Sequence, residues 1–179
     1  MPKPDAGAPA WADALYDVLV RQDIRQVAYV PDAGHSRLIE RCEADAKIAA
    51  TVLTTEEDGI ALLAGAWLGG DRGILLMQSS GVGNCVNMLT LIENCRMPLV
   101  ALITMRGEWG EFNPWQARMG QATPDVLTRM GVQTHRVDDP DDAAPTLDVA
   151  IRQSFDGSLA SAVLLSQRLI GRKAFKEDH

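Results

Sequence analysis

Paired cysteines are missing from this sequence. Cys42, Cys85 and Cys95 are odd in number, lie in apolar helical stretches and never take a C-x-x-C spacing, so neither a disulfide framework nor a zinc site is signalled and a reducing cytoplasm is the expected compartment. A surplus of positive charge is missing as well. Lys and Arg total 17 against 24 Asp and Glu, a net charge of −7, which removes the basic footprint that nucleic acid or an anionic membrane surface requires. No apolar run approaches the roughly 20 residues of a membrane-spanning helix, and the opening MPKPDAGAPA is too short and too polar for a signal peptide. Internal repeats and low-complexity tracts are lacking too. Small molecules and protein partners are left as the expected ligands.

What is present is one core's worth of apolar material: 46% of the 179 residues are hydrophobic, enough for a single soluble domain and too little for two. The expectation is one domain over 1–179, with its core over about 9–167 and a charged tail from Arg168 to His179. Pro9 opens a helical pattern through Leu15, Val18 and Leu19, and Gln26 to Val30 reads as a strand closed by Pro31. The alternation continues: helix from about Ser36, strand Ala50 to Leu53, helix Glu56 to Leu68, strand Ile74 to Met77, helix Asn84 to Asn94 and strand Leu99 to Met105. A loop is expected from Arg106 to Gln121, then Thr123 as N-cap and Pro124 as first residue of a helix ending near Gly131, strand Gln133 to Val137, helix Asp141 to Ser154 and strand Ala162 to Leu165. Six strands separated by helices force crossovers, which predicts an α/β fold: a single doubly wound domain around a parallel sheet.

Four segments carry residues of chemical interest. Glu56, Glu57 and Asp58 open a helix that is apolar all round and so belongs in the interior or at an interface; as acids in a first turn they also serve the helix dipole, at roughly 0.3–1 kcal/mol each, with no catalytic role. Ser80, Gly81, Val82, Gly83 and Asn84 form a turn between strand and helix with backbone N–H groups free for an anion. Neither the P-loop nor the dinucleotide fingerprint is matched, and a plain βα connection explains the same glycines. His35 and Ser36 follow the first strand, where open α/β sheets bind ligands, although a capping segment accounts for them equally. Arg106 begins a loop rich in Trp and Gly that runs past Gln116, and it is suited either to clamp an anion or to pair with Glu108 or Glu111.

In this order and spacing, Val30-Pro31, Glu57-x-Gly59 with small residues through Ala64 to Ala66, Ser80 to Asn84, and Met97-Pro98-Leu99-Val100 resemble the pyrimidine-binding domain of thiamine diphosphate enzymes over nearly the whole chain. Within that family, the Met77 to Asn87 segment and Arg106-Gly107-Glu108 are most similar to phosphonopyruvate decarboxylase and the α subunit of sulfopyruvate decarboxylase, and the short length favours the second. The resemblance implies the thiamine diphosphate-binding (pyrimidine domain) fold. It implies that Glu57 is the glutamate that hydrogen-bonds the pyrimidine N1′ and favours the iminopyrimidine tautomer, a task that suits a desolvated carboxyl. It further implies that Ser80, Gly81, Val82, Gly83 and Asn84 bind the cofactor, with His35, Ser36, Arg106 and Gln116 as substrate contacts.

The family's Gly-Asp-Gly motif, followed some distance on by Asn, is absent, and Gly69 to Gly73 reads only as a turn. Thiamine diphosphate is then the expected cofactor with Mg²⁺ held by a β subunit, this chain holding no metal and working in an α/β hetero-oligomer. The implied reaction is decarboxylation of sulfopyruvate to sulfoacetaldehyde and CO₂. Phosphonopyruvate or another 2-oxo acid, a split carboligase, and a non-catalytic partner-binding domain are the alternatives.

Overall fold

The computed structural model describes residues 10–171; Pro9 and positions 172–179 of the charged tail lie outside them. Helix and strand alternate as α1 (Ala10–Arg21), β1 (Ile24–Tyr29), α2 (Ser36–Glu43), β2 (Ala49–Val52), α3 (Glu56–Leu68), β3 (Arg72–Gln78), α4 (Val82–Cys85), α5 (Leu89–Cys95), β4 (Leu99–Thr104), α6 (Pro114–Arg129), β5 (Gln133–Val137), α7 (Pro140–Gly157), β6 (Ala160–Leu165) and α8 (Gln167–Ile170). Single 3₁₀ turns, Ala33–His35 and Ser79–Gly81, follow β1 and β3. The six strands form one parallel sheet in the order β2-β1-β3-β4-β6-β5, the doubly wound α/β architecture that the alternation predicts.

Each strand divides its side chains between two apolar layers because successive residues face opposite sides. Val27, Ile74, Leu76, Val100 and Leu102 pack with Leu15 and Leu19 of α1, Leu38 of α2, and Leu147 and Ile151 of α7. Ala28, Leu75, Met77, Ala101 and Ile103 pack with Ile60 and Leu63 of α3, Val82 of α4, Leu89 of α5 and Leu127 of α6. β4 is buried at every position, as a strand covered on both faces must be. From β1 the chain winds outward to β2 and then back past β1 to β3. The loops leaving β1 and β3 therefore run to opposite faces and open a crevice at the carboxyl ends of these strands, the position where open α/β sheets take ligands.

Two expected helices are redrawn. The helix expected over Asn84 to Asn94 is two, α4 and α5, separated by the turn 86–88; the Asn87 carbonyl accepts both the N–H and the hydroxyl of Thr90 and restarts the helix. The loop expected to Gln121 ends at Asn113, whose side chain caps α6 by accepting from the Trp115 N–H at 3.1 Å, with Pro114 as the first helical residue. Pro124 lies inside that helix and Thr123 is not its cap. The Thr123 hydroxyl instead donates to the Met119 carbonyl at 2.7 Å and to the Ser79 carbonyl at 3.2 Å, tying α6 to the end of β3 next to the step where proline removes a helical donor. Among the described residues no helix is long and apolar enough to cross a membrane.

Candidate active site

At the crevice, Asp32 joins three strand ends. It caps the 3₁₀ turn after β1 by accepting from the Gly34 N–H, receives the Thr104 hydroxyl from the end of β4 at 2.7 Å, and receives the Gln78 amide from the end of β3 at 2.6 Å. Burial raises the Asp32 pKa, but neighbouring His35, the hydrogen bonds from Thr104 and Gln78, and Arg106 outweigh it and hold the carboxyl below its usual range. Gln78 passes the network on, since its carbonyl oxygen accepts from Ser80 at 2.9 Å and from Gln116 of α6 at 2.6 Å. Nothing in the local sequence marks Asp32, because its partners are 46 and 72 residues away.

Arg106 and His35 are both buried at the crevice. Arg106 is 3% exposed and lies 3.6 Å from Asp32, and its backbone N–H donates to Ser79. His35 is 1% exposed, and neither ring nitrogen has a hydrogen-bond partner among the described residues. Ser36 is exposed but turns its hydroxyl back to the Ala33 carbonyl, and Gln116 is half-buried. Burial pushes His35 from 6.5 down to about 4, against the pull of Asp32. The unfolded chain therefore binds the extra proton between these values. The stability that depends on a neutral His35 is complete above pH 6.5 and is lost as the pH falls toward 4, by about 3 kcal/mol. Urea unfolding at pH 7 and pH 4.5 should show this loss, and a His35→Leu chain should keep more of its stability across the interval; equal pH slopes in the two chains would contradict the assignment.

The two glutamates at the start of α3 part company. Thr55 caps the helix with extended backbone, and consecutive helical residues point about 100° apart, so only one of the pair turns inward. Glu56 is that one, 8% exposed, accepting from the Asn84 amide at 2.8 Å. Glu57 is exposed, and its carboxylate takes part in no hydrogen bond or ion pair among the described residues. In the turn, Gly81 and Val82 are buried, Ser80 is half-buried, and Gly83 and Asn84 are exposed.

The loop after β4 is held from beneath. Glu108 pairs with both terminal nitrogens of Arg136 on β5 and accepts from the Gln167 N–H. The Gln167 side chain receives the N–H groups of Glu108 and Trp109 and donates to Glu111. Arg106 leaves the Glu108 partnership to Arg136, and Trp115 at the head of α6 stands 89% exposed.

No family model matches the chain. Sulfopyruvate decarboxylase subunit alpha of Methanothermobacter thermautotrophicus is 32% identical over 155 residues, covering 86% of this chain and 94% of that one. The chain belongs to this decarboxylase family. Phosphonopyruvate decarboxylase of Streptomyces viridochromogenes is 34% identical over 157 residues, 86% of this chain but only 40% of its own length. The decarboxylase family thus includes chains of about this size and others that continue well beyond the matched part. In fold, the chain is similar to a 2-oxoglutarate:ferredoxin oxidoreductase from Magnetococcus marinus, with a TM-score of 0.68 at 13% identity over 90% of this chain and 29% of that one.

Proposed function

We propose that this chain is the α subunit of a split thiamine diphosphate-dependent 2-oxo acid decarboxylase that converts sulfopyruvate to sulfoacetaldehyde and CO₂, a β subunit supplying the Mg²⁺ and diphosphate site. The observation that carries this reading is the 32% identity to a sulfopyruvate decarboxylase α subunit across 94% of that protein. The residues present suit one half of the cofactor. An accessible carboxylate, Glu57, stands at the start of α3 beside a turn whose exposed Gly83 and Asn84 admit close approach of a ring. The other half, Mg²⁺ with the diphosphate, takes one or two carboxylates together with the phosphate oxygens, and those ligands are assigned to the β subunit.

When bound, the cofactor supplies the heterocycle that takes up the electron pair left as CO₂ departs. Glu57 holds and returns the proton at the pyrimidine nitrogen. The Ser80 to Asn84 turn seats the pyrimidine, and the wall of Asp32, Gln78 and Thr104 keeps the strand ends that carry these loops in register. The α3 face continuing from Glu57 through Ala61, Gly65 and Leu68 is exposed, Leu68 at 74%, and supports a partner that covers it and removes water from Glu57.

Aldehyde release from sulfopyruvate, phosphonopyruvate and pyruvate, with Mg²⁺ and thiamine diphosphate, tests the reading on this chain with and without the β subunit from the same organism. Turnover of sulfopyruvate by the mixture alone is the expected result. Preference for phosphonopyruvate, the reading favoured by the 34% identity above, would reassign the substrate. Turnover by this chain alone would remove the split architecture.

A further inference from the structure

The loop that leaves β4 has both ends fastened at the crevice. Arg106, at its start, lies 3.6 Å from Asp32, and Gln116, in the first turn of α6, donates to Gln78 at 2.6 Å. Residues 107–113, between these anchors, belong to no helix or strand, and each residue of such a segment gives up backbone freedom on taking a single conformation. A segment that borders a site in one conformation therefore needs something to hold it there.

Gln167 supplies that hold. It lies two residues past β6, the strand beside β4, and is 1% exposed. Its side-chain oxygen accepts the N–H groups of Glu108 and Trp109, both at 2.9 Å, and its amide nitrogen donates to Glu111 at 3.0 Å. Its backbone N–H donates to the Glu108 carboxylate at 3.1 Å. Glu111 carries the bracing onward by accepting from the N–H groups of Asn113 at 3.0 Å and Gly107 at 3.4 Å. Burial raises the Glu111 pKa, but those N–H groups, the Gln167 amide and Arg106 outweigh it and hold the carboxyl below its usual range.

The start of the segment is wedged as well. Gly107 has φ +72°, and a methyl group there would meet the Ala117 backbone of α6 at 2.6 Å. A lid that opened on each turnover would have to break this set of contacts together and leave the buried Gln167 amide unpaired.

We propose that Gln167 is a positioning residue for substrate binding: its buried side chain pins residues 107–113 in one conformation, so that the loop is a preformed wall of the substrate site and not a closing lid. The inference rests on the decarboxylase reading above. A wall that is already in place costs the substrate nothing to order, whereas a loop released from Gln167 taxes binding by the fraction of time it spends elsewhere.

In the assembled enzyme, Gln167→Ala should raise KM for sulfopyruvate about tenfold, the tax expected when the competent loop is populated about one-tenth of the time. The kcat should stay within about threefold, because Gln167 touches no reacting atom. Gln167→Glu sets a carboxylate against those of Glu108 and Glu111 and should raise KM at least as much. Combined with Glu111→Gln, donor and acceptor trade places across the same 3.0 Å contact, while the new carboxylate still accepts from Glu108 and Trp109. The KM of this double variant should return to within about threefold of wild type. In the chain alone, the amide protons of Glu108 and Trp109 should exchange slowly, at least about tenfold faster after Gln167→Ala, and slowly again in the double variant.

Unchanged exchange at Glu108 and Trp109 in Gln167→Ala overturns the proposal. So does a loss confined to kcat, or a double variant no better than Gln167→Glu. If the wild-type pair releases no aldehyde from sulfopyruvate, phosphonopyruvate or pyruvate, the decarboxylase reading and the KM claim fall together, and the exchange measurements still decide whether Gln167 pins the loop.

Discussion

Replacing Glu57 by glutamine is expected to leave the chain folded and to lower turnover of the assembled enzyme by roughly 10²- to 10⁴-fold, the usual contribution of a positioned proton donor and acceptor. The amide keeps the size of the side chain and the ability to hydrogen-bond, but it cannot exchange the proton that the ring nitrogen must gain and lose. The loss should fall on kcat, with cofactor affinity altered far less, because the missing interaction strengthens only as the reaction proceeds. The competing account, in which Glu57 is merely an acid in the first turn of α3, predicts a different signature: a Tm change of no more than roughly 4 °C and normal turnover. Thermal melts of the chain and saturating-cofactor kinetics of the mixture separate the two, and unchanged kcat would sink the catalytic assignment. Exposure of Glu57 in the single chain adds a condition. Its environment becomes dry only when a partner covers the α3 face, so assembly and activation should rise together as the partner is titrated in.

The order of helices and strands was legible because it follows from local periodicity, and a core strand such as β4 advertises itself as a run of apolar residues, Leu99 to Ile103. Glu57 is singled out only by the resemblance; as isolated residues, Glu56 and Glu57 differ in nothing that a sequence rule can weigh, and the helical rotation of one position decides which is buried. Asp32 was invisible for another reason. Its role comes from strands that meet in space, and a carboxylate three residues past β1 carries no local sign that Gln78 and Thr104 converge on it. For Arg106 the sequence offers an anion clamp or an ion pair with Glu108 or Glu111, and the Trp- and Gly-rich loop favours the first. The fold instead draws it beneath the strand ends to within 3.6 Å of Asp32.

The start of α6 was missed although its signal is local. Asn113-Pro114 is a cap followed by a first-turn proline, the same grammar as Thr123-Pro124 ten positions later. The expected helix starts at Thr123-Pro124, and Pro114 to Gln121 fall in the expected loop. Tertiary contacts decide the matter: Thr123 is more valuable donating to the Ser79 carbonyl than capping a helix, and with Asn113 as cap the helix gains the turns that carry Gln116 to Gln78.

That packing predicts the largest effect on stability. A methyl group at position 120 would fall within the carbonyl oxygen of Arg106, and because the obstacle is backbone at the exit of β4, no rotamer change relieves it. Gly120→Ala should therefore push α6 away from the strand end and cost at least about 3 kcal/mol, the upper part of the usual overpacking range, which for a chain of this size lowers Tm by roughly 6–12 °C. Gln116 and Thr123 ride on the same helix, so their bonds to Gln78 and Ser79 should loosen too, seen as faster amide exchange at 78–84 in the residual fold. Gly65→Ala gives the contrast. Gly65 lies in the middle of α3 with nothing near enough to meet a methyl group, and the alanine should stabilise the isolated chain by up to about 1 kcal/mol through helix propensity. A destabilised Gly120→Ala beside a stabilised Gly65→Ala would separate close approach from propensity within one protein. Equal melting of Gly120→Ala and wild type would mean that α6 does not pack against the end of β4, and the wall of the crevice built from Gln78 and Gln116 would have to be redrawn.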